Sequence, residues 1–256
     1  MDIVVQDNSN IAGSVEGEAG ENEPHRQVPI AGIQAMTTID FPEKLAAVLF
    51  LQGCPWNCRY CHNPELQGKP STSQTSWDKV DKFVTGRVDF LEGIVISGGE
   101  PTMHRALPDL LSWLRSFGYK TALHTNGFYS SMLRRVLMSD LVDYIAMDIK
   151  GPPASYDRIA GVKDCSIEVA RSIELITASD IDYEFRTTYH PDILSEDELM
   201  DTIHAVSSVG AKRYYLQQFR NNGVADSELA DSCDTAILPA KAVEEARRLF
   251  EVFEVR

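Results

Sequence analysis

Three cysteines, Cys54, Cys58 and Cys61, lie on one short segment with the spacing C-x3-C-x2-C. Thiolates are the ligands that iron–sulfur clusters require, and three of them on one loop can reach three corners of a cubane. The fourth iron would have no protein ligand and would stay open to a small molecule. An open position of this kind distinguishes catalytic metal sites from structural ones. The spacing therefore predicts a [4Fe–4S] cluster with a catalytic position.

A structural zinc site is the competing interpretation of this segment, with His62 as the fourth ligand. His62 adjoins Cys61, which makes ligation by both side chains awkward. The remaining cysteines, Cys165 and Cys233, stand alone in the sequence and are predicted to be ordinary thiols. The residues by themselves leave zinc open as an alternative.

Composition and charge narrow the class of protein. The 256 residues include 38 acidic and 24 basic side chains, for a net charge of −14. Such a surface repels polyanions, so we expect no nucleic-acid partner. No apolar run approaches the roughly 18 residues of a membrane span, and the N-terminus lacks the features of a secretory signal. We therefore expect a cytoplasmic protein without a membrane partner, in which clustered cysteines usually bind metal.

The chain divides into a tail and one domain. Residues 1–27 are rich in acidic residues, Gly, Asn and Ser, and have too few bulky apolar residues to form a core. This composition predicts a disordered acidic tail over 1–27 and a single folded domain over 28–256.

Within the domain, apolar runs of about five to seven residues alternate with helical stretches, which indicates a parallel sheet covered by helices. The predicted strands are Ala46–Gln52, Gly93–Ser97, Lys120–Thr125, Tyr144–Ile149, Tyr183–Thr188 and Arg213–Phe219. The predicted helices are Trp77–Phe90, Leu107–Phe117, Ser130–Ser139, Ser166–Ala178, Glu196–Ser208 and Ala240–Phe253. Six such units predict an α/β fold, a partial (β/α)6 barrel with parallel strands.

Unusual polar residues follow these strands, where parallel α/β sheets collect their functional groups. The cysteines follow the first strand, Gly98-Gly99-Glu100-Pro101 follows the second, and Thr125-Asn126-Gly127 ends the third. Asp148 and Lys150 close the fourth, two residues apart and so on the same side of the strand. All of them are expected at one rim of the barrel.

These motifs together resemble the radical S-adenosylmethionine (SAM) superfamily. The cysteine motif on the first strand-to-helix loop, with Tyr60 before the last cysteine, carries the resemblance. The string Tyr60-Cys61-His62-Asn63 is typical of activating enzymes for glycyl-radical enzymes. The stretches Thr38-Ile39-Asp40-Phe41-Pro42-Glu43-Lys44-Leu45, Phe185-Arg186-Thr187-Thr188 and Leu216-Gln217-Gln218-Phe219 are similar to activating proteins of anaerobic ribonucleoside-triphosphate reductases.

The resemblance implies a fold, two cofactors and a reaction. The fold is the radical SAM type of partial barrel, and the cofactors are a [4Fe–4S] cluster on the three cysteines and SAM. The residues that it implies for SAM binding are Tyr60, His62, Asn63, Gly98, Gly99, Glu100, Thr125, Asn126, Asp148, Lys150 and Arg186. The implied reaction is reductive cleavage of SAM to a 5′-deoxyadenosyl radical, which creates a glycyl radical on a partner enzyme. That partner is expected to be anaerobic ribonucleotide reductase, with flavodoxin or ferredoxin as electron donor.

Two details of this pocket carry separate expectations. A Cβ at Gly99 would block the SAM amino group, so Gly99→Val is expected to weaken SAM binding and to leave the cluster intact. Some related activating enzymes have an aspartate, which helps hold a monovalent cation, where this chain has His124. That departure puts a cation site in doubt.

Three other functions remain as alternatives. The first is a radical SAM enzyme that acts on a small molecule, such as a deazapurine-forming enzyme. The second is an activase of another glycyl-radical enzyme, and the third is a non-catalytic metal-binding module. SAM cleavage under reducing conditions separates the third from the others.

Overall fold

The computed structural model describes residues 23–68, 75–224, 226–232 and 236–256. Within these ranges, eight strands form one sheet, in the order in which they occur along the chain. The strands are β1 (Ile30–Thr37), β2 (Ala46–Leu51), β3 (Gly93–Gly98), β4 (Lys120–Thr125), β5 (Tyr144–Asp148), β6 (Asp182–Tyr189), β7 (Arg213–Gln218) and β8 (Val252–Val255).

The six predicted strands are confirmed as β2 to β7, and these six run parallel to one another. The predicted α/β fold with parallel strands is therefore confirmed. Two edge strands extend the sheet beyond the prediction: β1 pairs antiparallel with β2, and β8 pairs parallel with β7.

Strand β8 corrects the predicted helix Ala240–Phe253. The helix ends at Leu249, and the chain turns into strand at Val252. Valine and phenylalanine favour a pleated surface, and pairing with β7 outweighs about one more helical turn.

The helices cover the outer face of the sheet. They are α1 (Trp77–Thr85), α2 (Leu107–Ser116), α3 (Ser130–Met138), α4 (Tyr156–Ala160), α5 (Cys165–Thr177), α6 (Glu196–Ser208), α7 (Ser227–Ser232) and α8 (Ala240–Leu249). The predicted capping box at α6 is confirmed, with Ser195 and Glu198 exchanging side-chain and backbone hydrogen bonds. No helix in the described part of the chain has the length and apolar character needed to cross a membrane.

The two faces of the strands bury two different cores because side chains alternate along a strand. Residues such as Leu49, Ile96 and Phe185 face the helices. The opposite face packs a small cluster at the amino ends of the strands: Phe41, Ala46, Val48, Val95, Ala122, Tyr144 and Ala146. The Phe41 and Tyr144 rings stack with centroids 5.8 Å apart. This cluster fills one end of the barrel interior, and polar side chains occupy the other.

The last five residues of the predicted tail are folded. Pro24–Gln27 form a 3-10 helix, and the His25 ring is 6% exposed and stacks on Trp113 at 4.7 Å. Arg26 forms an ion pair with Asp81 of α1. The prediction is therefore wrong for residues 23–27, and its remaining part, residues 1–22, lies outside the described residues.

Truncation at two points tests this boundary. Deleting residues 1–27 should lower the free energy of unfolding by about 2–3 kcal/mol relative to deleting 1–22, because the longer deletion removes the His25 stacking and leaves Asp81 without Arg26. Urea denaturation of the two truncated proteins measures the difference. Equal stability of the two would contradict the packing assigned to His25 and Arg26.

Candidate active site

A cavity of about 1500 Å³ opens at the carboxyl ends of the strands. Thirteen of the fourteen predicted site residues line it: Cys54, Cys58, Tyr60, Cys61, His62, Asn63, Gly98, Gly99, Thr125, Asn126, Asp148, Lys150 and Arg186. Only Glu100 is not among the lining residues. The residues that the sequence places at one rim are thus together in the structure.

The cysteine loop is held by its own backbone. The Gly53 N–H donates to the Leu66 carbonyl at 3.0 Å, and the Gly68 N–H donates to the Cys54 carbonyl at 3.1 Å. The Asn57 N–H donates to the Ala160 carbonyl at 2.9 Å, which ties the loop to the end of α4. These bonds fix a short loop so that its three thiols, all partly exposed, face the cavity.

The electrostatics of the loop fit a metal cluster. Burial raises the pKa of Cys54 to about 12 and that of Cys58 to about 11. Burial also raises the pKa of Cys61, although Lys150 acts in the opposite direction on Cys58 and Cys61. The thiolate forms therefore need a strong positive partner, and a bound metal centre supplies one.

A [4Fe–4S] cluster would not require the three thiols to converge on one point. Among the described residues, no three His, Cys, Asp or Glu side chains converge as they would around a single metal ion. The corners of a cubane are separate atoms, so each thiolate needs to reach only one of them. The Asn126 side-chain amide lies 3.8 Å from the Cys54 sulfur and can donate to it.

Glu100 has a different position from the one expected. Its side chain is completely buried, and one carboxylate oxygen accepts hydrogen bonds from the Thr102 N–H at 2.9 Å and the Thr125 hydroxyl at 2.7 Å. The other oxygen accepts from the Asn126 N–H at 2.6 Å. Burial raises the pKa of Glu100, and these donors oppose the rise. Glu100 therefore positions the ends of β3 and β4, and its carboxylate is occupied by the protein.

The two glycines of the same turn are required by the backbone. Gly98 has φ +121°, and a Cβ there would lie 2.3 Å from the Leu51 nitrogen. A Cβ on Gly99 would lie 2.1 Å from the Gly53 carbonyl oxygen, next to Cys54. That oxygen also accepts the Glu100 N–H at 2.8 Å. This contact argues against the expectation that Gly99→Val leaves the cluster intact, because the new side chain would strike the loop that carries Cys54.

Asp148, Lys150 and Arg186 form a charged wall of the cavity. The Arg186 Nε lies 2.9 Å from one Asp148 oxygen, and the Lys150 Nζ lies 3.2 Å from the other. Burial alone would raise the pKa of Asp148, but Arg186 and Lys150 outweigh it and hold the pKa well below its usual range. Burial likewise disfavours the charged form of Lys150, yet Asp148 keeps its pKa well above the ordinary value. All three groups are thus charged at neutral pH, with one more positive than negative charge.

Sequence reasoning missed the continuation of this wall. Glu184, 2% exposed, accepts from the Arg256 guanidinium at 2.9 Å and lies 3.7 Å from Arg186. Arg256 also stacks over the Tyr215 ring at 3.8 Å. It lines the cavity because β8 brings it there. The β-branched and aromatic residues of Val252-Phe253-Glu254-Val255 were the available signal for that strand.

Three other predicted contacts, Tyr60, His62 and Asn126, interact with neighbouring residues of the protein. Tyr60 is buried beneath Lys150, whose Nζ lies 5.5 Å from the ring centroid. The His62 Nε2 lies 2.9 Å from the Arg220 carbonyl oxygen, so this nitrogen carries the hydrogen and joins the cysteine loop to the segment after β7. The Asn126 side-chain oxygen accepts the Phe128 N–H at 3.0 Å.

His124 stands on the inner wall beside Arg186. Its Nε2 lies 2.8 Å from the Asp40 carbonyl oxygen. Burial and then the positive charge of Arg186 lower the pKa of His124 to about 4. His124 is therefore neutral at physiological pH.

The low pKa predicts acid sensitivity. In the unfolded chain His124 gains a proton near pH 6.5, whereas in the folded protein it does so only near pH 4. Protonation of His124 in the unfolded chain therefore lowers the free energy of unfolding progressively as the pH falls from 6.5 to 4, by on the order of 3 kcal/mol. Urea denaturation at several pH values should show a shallower decline over this window for His124→Asn. The exposed His204→Asn is the matched control, and an unchanged slope for His124→Asn would contradict the assignment.

Comparison with known proteins places this geometry in a family. Residues 48–206, more than half of the chain, match the model of the radical SAM superfamily. A protein of Methanocaldococcus jannaschii with the provisional name glycyl-radical enzyme activating enzyme is 29% identical over 78% of this chain and 83% of its own length. The pyruvate formate-lyase-activating enzyme of Clostridium pasteurianum is 31% identical over 47% of this chain and 52% of its own length.

A solved structure has the same fold. Streptococcus suis SuiB bound to S-adenosylmethionine superposes with a TM-score of 0.56 at 14% identity, over 80% of this chain and 48% of SuiB. At this identity the likeness concerns the fold alone. The family match, the parallel barrel and the three cysteines at its rim agree with one another. The chain therefore belongs to the radical SAM superfamily, whose members bind a [4Fe–4S] cluster and SAM.

Proposed function

We propose that this enzyme is an oxidoreductase that activates a glycyl-radical enzyme, with anaerobic ribonucleotide reductase as the partner. The observation that carries the proposal is the Tyr60-Cys61-His62-Asn63 string on a wide, laterally open cavity. The names of its relatives from Methanocaldococcus jannaschii and Clostridium pasteurianum support the general activity. The similarity of Phe185-Arg186-Thr187-Thr188 to reductase activators supports the specific partner.

In this proposal Cys54, Cys58 and Cys61 would hold the cluster, and the cavity beside them would receive the amino acid end of SAM. The chemistry that a bound, reduced cluster would supply is one electron for the cleavage of SAM, and the resulting 5′-deoxyadenosyl radical would take a hydrogen atom from glycine. The positive charges of Lys150 and Arg186 suit the carboxylate of SAM, because Asp148 satisfies only part of their capacity. The backbone of Gly98 and Gly99 suits the amino group, since both glycines line the cavity.

Several other side chains are proposed to contact the rest of SAM or to position the residues that do. Tyr60, His62 and Asn63 lie on the cysteine loop and suit the adenine and ribose. Thr125 and Asn126 extend the same wall, and Glu100 positions them from behind. A flavodoxin or ferredoxin is the proposed electron donor. The proposed location is the cytoplasm, where thiols stay reduced.

Product analysis tests the activity. Anaerobically reconstituted protein with dithionite and SAM should release 5′-deoxyadenosine and methionine in equal amounts. Addition of the reductase should make the 5′-deoxyadenosine carry hydrogen from the partner's glycine. No cleavage of SAM would reject the enzyme and favour a metal-binding module. Cleavage without any transfer from a glycyl-radical enzyme would favour the small-molecule alternative.

A further inference from the structure

The cavity continues around the free edge of β1. Residues Gly32 to Met36 of this strand line it. Among the described residues, Thr75 covers the beginning of the edge: its N–H donates to the Ile30 carbonyl at 2.7 Å and its hydroxyl to the Ala31 carbonyl at 3.2 Å. In the described residues, β1 has β2 as its one strand partner. The cavity wall therefore includes backbone groups that another strand could pair with.

Within the described residues, this edge has only part of the protection that exposed strands usually have. Proteins guard free edges with charges, prolines, bulges or a covering segment, because an open edge is a template for pairing. Two register shifts twist β1, but no charged residue occurs between Val28 and Ile39. Met36 is 55% exposed and Ile39 is 63% exposed, both at the cavity. An uncharged free edge with two exposed apolar side chains suits a binding partner.

The cavity has the opposite charge to the rest of the protein. Its described lining includes two acidic residues, Asp40 and Asp148. It includes six basic residues: Lys79, Lys82, Lys150, Arg186, Arg220 and Arg256. The whole chain has 38 acidic and 24 basic residues, so the balance of charge in the cavity lining is the reverse of that of the chain.

Lys79 and Lys82 place part of this charge beside the edge of β1. They are one turn apart on α1, and both are exposed. Among the described residues, the ion pairs of the neighbouring Asp78 and Asp81 are made with the partly buried Arg26 and not with the two lysines. The free edge, Met36, Ile39 and the two lysines together form one surface, which we call the β1 mouth.

We propose that the β1 mouth binds an extended acidic segment of the partner protein, which pairs its main chain with β1 and sets its carboxylates against Lys79 and Lys82. The proposal rests on the proposed function, since it names how the substrate segment enters. An extended segment suits a reaction at a glycine Cα, because strand pairing fixes the main chain and leaves alternate positions facing the cavity. The exposed Met36 and Ile39 suit apolar side chains between the acids.

A synthetic peptide is the probe. The peptide Asp-Val-Glu-Val-Gly-Val-Glu-Val-Asp carries a fluorophore, and a matched peptide has lysine at each acidic position. Fluorescence anisotropy with anaerobic, cluster-loaded protein and SAM measures both affinities at low salt. We expect the acidic peptide to bind at least tenfold more tightly, and its affinity to fall as salt increases.

Protein and peptide variants separate charge from strand pairing. The double substitution Lys79→Glu/Lys82→Glu should weaken binding of the acidic peptide about tenfold. The control Arg134→Glu/Arg135→Glu makes the same charge change on exposed positions of α3 and should alter binding less than twofold. N-methylation of alternate residues along one edge of the peptide should abolish binding, whereas methylation along the other edge should preserve it.

Four results would overturn the proposal. They are equal affinity for the two peptides, equal effects of the two double substitutions, equal effects of the two N-methylation patterns, and binding that occurs only after residues 1–22 are deleted. The last result would assign the mouth to the acidic segment of the chain itself. SAM cleavage by the unaltered protein is measured in the same samples. Failure of SAM cleavage would contradict the proposed function. Normal cleavage with equal affinity for the acidic and the lysine peptide would contradict only the docking proposal.

Discussion

Replacing Cys54, Cys58 or Cys61 by alanine is expected to reduce bound iron from about four atoms per chain to nearly none. Each thiol faces the shared cavity from one short loop, so the loss of one leaves an iron corner without its protein ligand. Iron and sulfide analysis after anaerobic reconstitution measures the effect, and the brown absorbance should disappear with the iron. This change is the largest that we expect from any single substitution.

Two cysteine controls make the result specific. Cys165→Ala should retain the iron, because Cys165 is buried at the start of α5 with its sulfur 3.4 Å from an Asp157 oxygen. Cys233→Ala should also retain it; this residue lies outside the described part of the chain. Stoichiometric zinc without iron, in protein purified anaerobically from its native host, would contradict the cluster and restore the zinc alternative.

Gly99→Ala should damage the cluster site and the fold together. The added Cβ would lie 2.1 Å from the Gly53 carbonyl oxygen and 2.9 Å from the Leu66 carbonyl oxygen, and neither backbone group can swing away like a side chain. We expect the free energy of unfolding to fall by about 1–3 kcal/mol. For a chain of this size, that change lowers the melting temperature by about 3–10 °C. We also expect weaker iron retention, since Gly53 directly precedes Cys54.

Gly210→Ala is the control for the loss of a glycine. Its Cβ would enter open space, although its φ of +79° still carries the cost of a left-handed backbone. It should lower stability by about 1 kcal/mol and leave the iron content unchanged. Full iron retention in Gly99→Ala, with SAM affinity alone reduced, would instead restore the view that this glycine serves only the cofactor. Calorimetry and iron analysis of both variants distinguish the two views.

The sequence predicted the parts of the fold that follow from local patterns. The runs at Ala46 and Gly93 are apolar and bounded by turn residues, because strands buried on both faces need apolar side chains throughout. Functional residues could then be assigned to one rim, since parallel strands end on the same side. The cavity-lining positions of Asp148 and Lys150 follow from this rule and from the two-residue repeat of a strand.

Other features depend on contacts between distant residues. Glu100 belongs to the motif expected to contact SAM, yet its carboxylate accepts from Thr125 and Asn126, and no local pattern specifies that direction. The edge strand β8 was assigned to a helix because its stability comes from pairing with β7. Arg256 was missed for the same reason, since its contact with Glu184 spans 72 residues of sequence.

Electron paramagnetic resonance of the partner enzyme tests the central claim most directly. The protein is incubated anaerobically with dithionite or reduced flavodoxin, SAM and the anaerobic ribonucleotide reductase of the same organism. The account predicts a stable glycyl radical on the reductase, seen as a doublet whose splitting is lost when its glycine is deuterated at Cα. The absence of that doublet, in samples where SAM is cleaved, would contradict the assignment of this partner; its absence with every glycyl-radical enzyme supplied would contradict the activase function itself.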